Sequence, residues 1–556
     1  MRKWLPLSAV CLGTFMLLVD VTIVNVALPD MAADLHTSLG ALQWVVDGYA
    51  LALAALLLGI GSLADRIGHR RCYIGGLALF AVASLASGLA PTTSALITAR
   101  TVQGVGAAAM FATTFALLNS SYTGRDRATA YGMWGAVSGA SSAAGPLLGG
   151  PLTQGLSWRW IFFVNLPVSA VAIATCLFVL RDGHTRDTRR LDMGGVALFT
   201  VAIGSLTFAM IRTNEHGWSD PACWSMLLTG AVFLLAFVIA ESRIAEPVLD
   251  LALLRNSTFS GVLIAAVLLN FAAYVSFAYT SIWMQSVLRL SPVTAGLVSL
   301  PMSVAAFVVS ASLGRAMHRW RPGRVISGGI LLIGVGDLLA AALVDAWPSW
   351  PALLPGFLVV GLGVGFAAPP LSATGMAAVP PQRGGMAAGA INTARQVGFA
   401  FGIALLGSVF TAGTQHALVR KHLTSATALA HDVAAGQSAQ VLHSATPGSR
   451  DTIDQAIRAA AAHGIDMLLF VAGMIGVAAA LISFLMIRQR PSVEDTPELP
   501  GRLMFRQRRQ RGVQQRAQGR VRPPPRYPHQ GPAEDRDRKS GSRSAPYCHS
   551  GWSRPP

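Results

Sequence analysis

The sequence predicts an all-α integral membrane protein with fourteen transmembrane helices. Hydrophobic residues make up 53% of the chain and charged residues only 12%, about half the charged share of an ordinary soluble domain. The apolar residues are collected in stretches long enough to cross a hydrocarbon core of about 30 Å as helices. These stretches are 7–28, 42–63, 72–90, 96–119, 131–153, 161–180, 193–212, 223–241, 258–283, 294–316, 324–344, 351–372, 385–411 and 465–487.

Arginines in the short connecting loops predict the orientation of these helices. Sixteen arginines fall in loops on one side and three on the other. Lys and Arg in short loops are retained in the cytoplasm, so we expect a multi-pass protein of the cytoplasmic membrane with both termini inside. The sixteen are Arg66, Arg70, Arg71, Arg125, Arg127, Arg181, Arg186, Arg189, Arg190, Arg243, Arg255, Arg315, Arg319, Arg321, Arg324 and Arg383, and the three are Arg159, Arg212 and Arg289.

The net charge of +17 does not indicate a nucleic-acid partner. Residues 488–556 contain 16 Lys/Arg against 6 Asp/Glu, so this tail accounts for +10. The tail lacks apolar periodicity and is rich in Arg, Pro and Gln, so we expect it to be disordered and able to contact anionic lipid. Five cysteines are scattered without paired spacing, and no disulfide framework or metal site is predicted.

The chain also contains an internal repeat. Loop 314–324 follows the tenth stretch as loop 61–71 follows the second, which places both loops at the same point of two six-helix halves. Repeated halves of this kind enclose the central site of many transporters. We expect an N-terminal six-helix bundle in 1–186, a two-helix insert in 187–255, a C-terminal six-helix bundle in 256–487 with a long external loop at 412–464, and a basic cytoplasmic tail in 488–556.

The loop between the second and third stretches has an unusual order of residues. It reads Gly-Ser-Leu-Ala-Asp-Arg-Ile-Gly-His-Arg-Arg at 61–71. One carboxylate, Asp65, stands among Arg66, Arg70 and Arg71, and Gly68 permits a tight turn. Any hairpin on the inner face can be basic, but this order is far more specific than a basic loop.

Two carboxylates and one guanidinium interrupt the N-terminal stretches. Asp20 lies in the first stretch, Asp47 in the second and Arg100 in the fourth, with Gln103 beside it. A charge in the middle of a membrane helix costs about 2.5–3.5 kcal/mol on insertion, so these groups need polar partners or water. They can compensate one another, and a carboxylate there can exchange a proton. The alternatives are an interfacial position for either aspartate and a purely structural ion pair for Arg100.

Small residues dominate the fifth stretch. Glycines spaced four apart form faces for close helix packing, and a proline removes one backbone hydrogen bond and is expected to bend the helix. Such spacing alone indicates only packing, but the run Gly-Pro-Leu-Leu-Gly-Gly that ends the stretch is more specific. The residues concerned are Gly135, Gly139, Gly145, Pro146, Gly149 and Gly150.

Together these motifs resemble the fourteen-helix drug:proton antiporters of the major facilitator superfamily. The resemblance rests on Leu-Val-Asp-Val-Thr-Ile-Val-Asn-Val-Ala-Leu-Pro at 18–29, loop 61–71, Arg100–Gly104, the glycine-proline run and Trp-Arg-Trp-Ile-Phe-Phe-Val-Asn-Leu-Pro at 158–167. It covers 7–487 and not the tail, and its motifs are densest in the first 170 residues.

The resemblance implies a proton-coupled antiporter that exports small amphipathic drugs or antibiotics, without a cofactor. Asp20 and Asp47 occupy the positions of acids that the family uses for protons or cationic drugs, and Arg100 that of its arginine. Asp65 would meet the N-terminal end of a helix in the other bundle, where the helix dipole favours an anion. The thirteenth stretch, which begins near Gly385, is the candidate, and loop 61–71 would act as a conformational gate.

The resemblance leaves the substrate open. Multivalent-cation exporters of the family often have further acids in the tenth or thirteenth stretch, and neither stretch has one here, which lowers the expectation of dicationic substrates. For the aromatic residues of the ninth stretch, helix packing with an interfacial belt is an equal alternative to a cavity lining. Candidate cavity residues are Asn25, Gln103, Asn270, Tyr274, Asn392, Arg395 and Gln396.

Other functions stay open at this point. One is a dedicated exporter of a single endogenous metabolite, such as an antibiotic made by the same cell; another is a proton-coupled importer, against which the glycine-proline run argues. The sequence has no phosphate-binding Gly-x-x-x-x-Gly-Lys-Ser/Thr loop and no nucleophile triad or metal cluster that points to an enzyme. We expect a small-molecule substrate, protons and membrane lipid as partners, no nucleic acid, and a functional monomer.

Overall fold

The protein is described by a computed structural model that covers 2–37, 39–180, 192–244, 247–316, 320–346, 348–380, 383–420, 426–438, 441–442 and 450–487. Helices make up all the regular secondary structure within these ranges, which confirms the predicted all-α class. The predicted tail 488–556 lies outside the described residues, as do parts of the predicted external loop 412–464 and of loop 314–324.

The N-terminal half begins with a 3₁₀ turn at Arg2–Trp4 and continues as long helices. The sixth predicted stretch is divided at Val164, so that it forms two consecutive helices. The helices are α1 (Leu5–Asp34), α2 (Leu39–Ile67), α3 (His69–Gly88), α4 (Thr93–Ser121), α5 (Gly124–Gly155), α6 (Trp160–Phe163) and α7 (Asn165–Val179).

The predicted insert and the C-terminal half follow. Side chains of Asp192, Asp220 and Asn256 accept hydrogen bonds from the first turns of three helices, which fixes where these helices begin. The predicted insert contains α8 (Met193–His216) and α9 (Pro221–Glu241), and the later helices are α10 (Ser257–Leu269), α11 (Val275–Ile282), α12 (Pro292–Ala316), α13 (Pro322–Ala346), α14 (Leu353–Ala377), α15 (Gly384–Arg420), α16 (Ala426–Ala434) and α17 (Arg450–Met486).

The ninth predicted stretch is interrupted twice. π-Helical turns at Asn270–Tyr274 and Trp283–Val287 stand before and after α11. A π turn leaves the regular backbone hydrogen-bond register and is frequent at functional sites. Helices also occupy much of the described part of the predicted external loop, because α15 continues to Arg420, α17 begins at Arg450 and α16 lies between them.

Thirteen helical segments of the described chain are long and apolar enough to cross a membrane, and each coincides with one predicted stretch. The remaining stretch, 131–153, lies in α5. This helix is rich in glycine, alanine and serine and packs along both α1 and α12. Its short side chains let neighbouring helices approach closely, but they add little to the hydropathy of the helix.

Helix contacts repeat between the two halves. The pair α3–α4 of the first half corresponds to α13–α14 of the second, and α1–α5 corresponds to α10–α15. Two further pairs, α5–α12 and α2–α15, join the halves. In this correspondence α2 is equivalent to α12 and α5 to α15, so the pair α2–α15 is equivalent to the pair α12–α5. A pseudo-two-fold relation between the halves requires this equivalence.

Glycines set the distance between α2 and α15. A Cβ atom on Gly61 would lie 3.1 Å from the carbonyl carbon of Gly385 and 3.3 Å from Cα of Gly389, with the carbonyl oxygen of Gly385 nearer still. A Cβ on Gly389 would lie 2.8 Å from the carbonyl oxygen of Leu57. The two backbones therefore touch, and this contact places the first turn of α15 beside the end of α2.

Candidate functional site

An ion pair lies inside the N-terminal half. Arg100 of α4 donates from Nη1 to Oδ2 of Asp20 in α1 at 2.6 Å, and the two side chains are 1% and 0% exposed. A buried ion pair is stable only when the remaining polar atoms are also hydrogen-bonded, because both charges have lost their water. The neighbouring side chains meet this requirement.

Amides surround the Asp20 carboxylate. Gln103 Nε2 donates to Asp20 Oδ1 at 3.0 Å, and Asn165 Nδ2 donates to the same oxygen at 2.8 Å. Arg100 Nη1 also donates to Gln103 Oε1 at 2.8 Å, and its Nε donates to the carbonyl oxygen of Val45 at 3.2 Å. Asp20 thus accepts hydrogen bonds from three side chains contributed by α4 and α7.

Ser84 and two aromatic rings complete this cluster. Asn165 donates to Ser84 Oγ at 3.0 Å, and Ser84 donates to the carbonyl oxygen of Phe162 at 3.0 Å. The guanidinium carbon of Arg100 lies 4.4 Å from the ring centroid of Tyr49 and 5.7 Å from that of Phe162, where the ring faces attract a cation. We call Asp20, Ser84, Arg100, Gln103 and Asn165 the charge cluster.

The charge cluster contains three of the sequence-predicted residues. Asp20, Arg100 and Gln103 meet in it, and Asp20 is completely buried among the helices. Asp47 is half-buried on α2, two residues beyond Val45. The sequence reasoning missed Asn165 and Ser84; an amide inside the apolar run 158–167 was an available signal for the first, whereas a serine among apolar residues gave none for the second.

Asp65 connects the two halves. Its Oδ1 accepts a hydrogen bond from the backbone N–H of Gly385 at 2.6 Å, and its Oδ2 accepts one from Met386 at 2.8 Å. These N–H groups belong to the first turn of α15, where they have no partner within the helix and where the helix dipole attracts an anion. His69 Nε2 lies 3.4 Å from Asp65 Oδ1. We call this arrangement the Asp65 cap.

The other residues of loop 61–71 have separate surroundings. Gly68 has a φ of 101°, a left-handed conformation that favours glycine and that lets α3 begin directly after α2. Arg70 Nη2 donates to the carbonyl oxygen of Leu177 in α7 at 2.9 Å. Arg66 and Arg71 are exposed.

The glycines of α5 face three helices, α1, α12 and α14. Added Cβ atoms on Gly145 and Gly149 would meet Thr22 and Ile23 of α1. Those on Gly135, Gly139 and Gly150 would meet side chains of the C-terminal half, namely Pro369, Ala306 and Val293. Gly135 and Gly139 therefore permit close contact between the halves, while the side chain of Pro146 lies outside the described part of the structure.

Polar residues of α15 contact the N-terminal half. Asn392 Nδ2 donates to the carbonyl oxygen of Phe111 in α4 at 3.0 Å. The guanidinium carbon of Arg395 lies 5.4 Å from the ring centroids of both Phe115 and Trp134. Both contacts lie on the surface where the halves meet.

The other candidate cavity residues are less closely grouped. Asn270 donates to the carbonyl oxygen of Ala266 in its own helix at 2.9 Å, and Tyr274 and Gln396 are half-buried. The side chain of Asn25 lies outside the described residues. Of the aromatic residues of the ninth stretch, Phe271, Tyr279 and Trp283 are buried among helices, which favours the packing interpretation for these three.

A second ion pair joins helix ends on the face opposite Asp65. Arg159 Nη1 donates to Asp34 Oδ2 at 2.5 Å, and Trp158 Nε1 donates to the same oxygen at 3.0 Å. These hydrogen bonds, first that from Arg159 and then that from Trp158, lower the pKa of the Asp34 carboxyl below its usual value. Arg159 also donates to the carbonyl oxygen of Ala90, so the ends of α1, α3 and α5 are tied together.

Two repeated helical halves with charged groups buried between membrane-length helices define a membrane transporter of the two-bundle type. The chain belongs to the Major Facilitator Superfamily, whose profile matches residues 10–403. This confirms the superfamily that the motifs indicated.

The chain is similar to several proteins named for drug resistance. It is 36% identical to multidrug resistance protein Stp of Mycobacterium tuberculosis over 73% of this chain and 76% of that protein. It is 36% identical to puromycin resistance protein pur8 of Streptomyces alboniger over 76% and 85% of the two chains. It is 31% identical to the tetracenomycin C resistance and export protein of Streptomyces glaucescens over 90% and 94%.

A solved structure has the same fold. The crystal structure of the human organic anion transporter MFSD10 (TETRAN) matches with a TM-score of 0.55, and the match covers 86% of this chain and 99% of that one. At 13% sequence identity the likeness concerns the arrangement of helices alone.

Proposed function

We propose that the protein is a proton-coupled antiporter that exports small amphipathic drugs or antibiotics across the cytoplasmic membrane, as a carrier without enzymatic chemistry. The observation that carries this proposal is the Asp65 cap, a charge-assisted contact between the halves at one face of the molecule. A contact of this kind can break and re-form as the halves alternate. The drug-resistance names of the relatives support the substrate class.

In this proposal the N-terminal bundle is 1–186, the insert 187–255 and the C-terminal bundle 256–487. Loop 61–71 and both termini lie in the cytoplasm, an orientation that the arginine distribution supports. The Asp65 cap, with Arg66, Gly68, Arg70 and Arg71 around it, is then the cytoplasmic gate, and the conformation described above is closed on that side. The halves move against each other along α5, the glycine-rich helix that contains Pro146.

Proton coupling is assigned to the charge cluster, with Asp47 as the second acid. In the conformation described, Asp20 neutralises Arg100. A proton on Asp20 would leave the buried guanidinium without a counter-charge, so proton binding favours a conformation in which this pair has separated. Moving one charge across 100 mV is worth about 2.3 kcal/mol, which is sufficient to drive uphill export without a nucleotide.

The substrate is assigned to the surface between the halves, which the polar residues of α15 line. Asn392 and Arg395 already contact α4 there, and Tyr274 and Gln396 are half-buried. Substrate would enter from the cytoplasm or the inner leaflet when the Asp65 cap is open. The working unit in this scheme is a monomer surrounded by lipid.

A second candidate is a dedicated exporter of one antibiotic. The names of the two Streptomyces relatives, each of which refers to a single compound, favour it. Both candidates require the same antiport cycle and differ only in the breadth of the substrate site. Accumulation of several unrelated dyes in cells separates them, because a broad exporter lowers all of them and a dedicated one lowers none.

The test is transport by the purified protein in liposomes with an internal pH dye. Addition of a transported drug should move protons in the opposite direction, and an uncoupler should abolish accumulation. Equal transport with and without a pH difference and a membrane voltage would overturn proton coupling. Transport in the inward direction only would overturn export.

A further inference from the structure

Arg395 is a cation at the junction of the two halves. Its Nη2 donates to Ser372 Oγ of α14 at 2.7 Å. On the other side, its guanidinium carbon lies 5.4 Å from the rings of Phe115 and Trp134, which belong to α4 and α5. The side chain is half-buried, so it keeps some accessible surface.

The hydrogen-bonding capacity of Arg395 is mostly unused. A guanidinium has five N–H donors, and in the described part of the chain the bond to Ser372 is the one that Arg395 makes. No carboxylate among the described residues pairs with it, in contrast to Arg100, whose charge Asp20 neutralises. A guanidinium inside a membrane protein without a counter-ion is costly, and a bound anion would remove this cost.

The neighbouring groups suit an aromatic ligand. Phe115 and Trp134 are in edge contact with ring centroids 4.6 Å apart. Trp134 is fixed by a hydrogen bond from its Nε1 to Thr14 Oγ1 at 3.2 Å. Tyr274 lies close enough to Arg395 for an electrostatic interaction. Phe115 and Trp134 are 0% and 3% exposed in this conformation, so a planar molecule would contact these rings once the halves separate, with one end on the guanidinium.

We propose that Arg395 binds the anionic oxygen of the substrate, a carboxylate, phenolate or enolate carried by an amphipathic aromatic molecule. The inference rests on the proposed export function and narrows its substrate class from amphipathic drugs to acidic aromatic ones. It also fits the lack of any acid in α15, because the ligand itself supplies the negative charge.

Three probes with one aromatic body test this assignment. They are 9-anthracenecarboxylate, its methyl ester and 9-(aminomethyl)anthracene, which differ mainly in charge. Binding to the purified protein in lipid nanodiscs is measured by equilibrium dialysis, without a proton gradient. We expect the carboxylate to bind most tightly, and Arg395→Gln to weaken it by about tenfold or more, since a charge-assisted hydrogen bond is lost. The ester should bind the variant and the parent protein equally.

The controls separate this inference from the export proposal. Arg420→Gln changes an exposed arginine at the end of the same helix and should leave all three affinities unchanged. Preferential binding of the amine, or an equal loss for all three probes in Arg395→Gln, would overturn the anion site. Because binding is measured without transport, an inactive exporter that still prefers the carboxylate would contradict only the proposed export.

A second inference rests on a different residue, Asp337 of α13. The side chain is 2% exposed, and its Oδ2 has no hydrogen-bond partner in the described residues. Its Oδ1 lies 3.2 Å from Ser276 Oγ in α11. No lysine, arginine or histidine of the described chain forms an ion pair with it. An ionised carboxylate in such surroundings would be a bare buried charge.

The position of the hydroxyl proton indicates how this contact is made. A serine hydroxyl has one proton to donate, and Ser276 Oγ lies only 2.6 Å from the carbonyl oxygen of Ala272, one turn earlier in its helix. That proton can be shared with Asp337 Oδ1 at 3.2 Å, but the contact with Ala272 is the shorter of the two. Asp337 therefore has one weak hydrogen-bond donor and an Oδ2 without a partner in the described residues, which fits a neutral carboxylic acid.

The helices around Asp337 supply no compensating charge. α10 and α14 have no ionisable side chain. On α17, which packs along α13, Arg458 pairs with Asp454 at 3.0 Å. Tyr279 of α11 donates to the carbonyl oxygen of Ile403. Tyr274, in the preceding π turn, lies near Arg395. The nearest charged residue of α13, Asp345, is about 12 Å further along the helix, where it lies with His463 and Asp466 of α17.

We infer that Asp337 is a proton-binding residue of the C-terminal half, protonated in this conformation and able to release its proton when α11 and α13 separate. The π turns on both sides of α11 give the backbone a way to rearrange. In this conformation Asp20 of the N-terminal half is a carboxylate paired with Arg100, whereas Asp337 of the C-terminal half is a neutral acid.

Infrared spectroscopy of the protein in nanodiscs tests the protonation state directly. At neutral pH the parent protein should show the carbonyl stretch of a buried protonated acid, and Asp337→Asn should lose it. Asp345→Asn, an exposed change on the same helix, should keep it. Absence of this band from the parent protein would overturn the inference. An unchanged number of protons moved per substrate in Asp337→Asn would overturn proton release from this residue.

Discussion

The carboxylate of Asp65 accepts hydrogen bonds from the backbone N–H groups of Gly385 and Met386, at 2.6 and 2.8 Å, across more than 300 residues of sequence. One side chain of the N-terminal half thus satisfies two of the unpaired N–H donors at the start of α15. Next to it, Gly61 and Gly385 bring the two backbones into contact. The charge of Asp65 and the close packing at Gly61 act at the same point, so a change at either residue should weaken the contact between α2 and α15.

Asp65→Asn should shift the protein towards the conformation in which the halves are apart at this face. The amide keeps one acceptor oxygen but loses the charge, and hydrogen bonds to charged groups are worth about 1.5–3 kcal/mol, or roughly tenfold to a hundredfold in population. Spin labels on cysteines introduced at Ile67 of the N-terminal bundle and Ser257 of the C-terminal bundle, both exposed, would report a longer distance.

Asp126→Asn is the matched control for Asp65→Asn. Asp126 pairs with Lys3 at 2.7 Å within the N-terminal half, so its loss should leave the label distance unchanged. An unaltered distance distribution in Asp65→Asn would show that the Asp65 cap does not hold the halves together.

Gly61→Ala should impair transport, although alanine is ordinarily the better helix former by about 1 kcal/mol. The new methyl group would overlap the backbone of Gly385, which cannot move aside as a side chain can. Gly75→Ala on α3 is the control, because an added Cβ there has no atom within 4 Å. Transport should fall at least about tenfold in the first variant and stay at the parental rate in the second. Equal activity of the two would mean that close contact between α2 and α15 is dispensable.

The sequence predicted the helices more completely than their contacts. Hydropathy is a local property, so thirteen predicted stretches appear as membrane-length helices. Asp20 and Arg100 could be paired in advance because an isolated charge in a membrane helix requires compensation. Asn165, which donates to Asp20, and Ser84, which donates to the carbonyl oxygen of Phe162, could not be placed. Both side chains are uncharged and can form hydrogen bonds with nearby backbone groups, so neither requires one particular partner. The π turns before and after α11 likewise depend on packing and have no sequence signal.

Asp34→Asn should lower thermal stability in a pH-dependent way. Arg159 and Trp158 lower the pKa of Asp34 in the folded protein, so the carboxylate contributes stability above its unfolded pKa of about 3.9. That contribution is lost as pH falls through the lower folded pKa. The difference in Tm between the parent protein and Asp34→Asn should therefore be present at neutral pH and disappear in strong acid. A difference in Tm that stays constant down to acid pH would show that the stability is lost through the changed shape of the side chain and not through the loss of its charge.

Asp20→Asn should uncouple transport, and the structure adds a cost in stability that the sequence did not indicate. The asparagine leaves Arg100 charged and buried, and removal of one member of a buried ion pair costs about 3–5 kcal/mol. Arg100→Gln should be destabilising for the converse reason. The double variant removes both charges, so its Tm should exceed that of either single variant, measured in the same detergent or nanodisc.

The double variant also separates the structural role of this pair from its role in coupling. If Asp20 and Arg100 only stabilise the N-terminal half, the double variant should regain substrate-driven proton movement together with its stability. If the titration of Asp20 drives the cycle, the double variant should fold, bind substrate and still fail to move protons in exchange. The second result is the one expected, because a neutral amide pair can satisfy the hydrogen bonds of Gln103 and Asn165 but cannot gain or lose a proton near neutral pH.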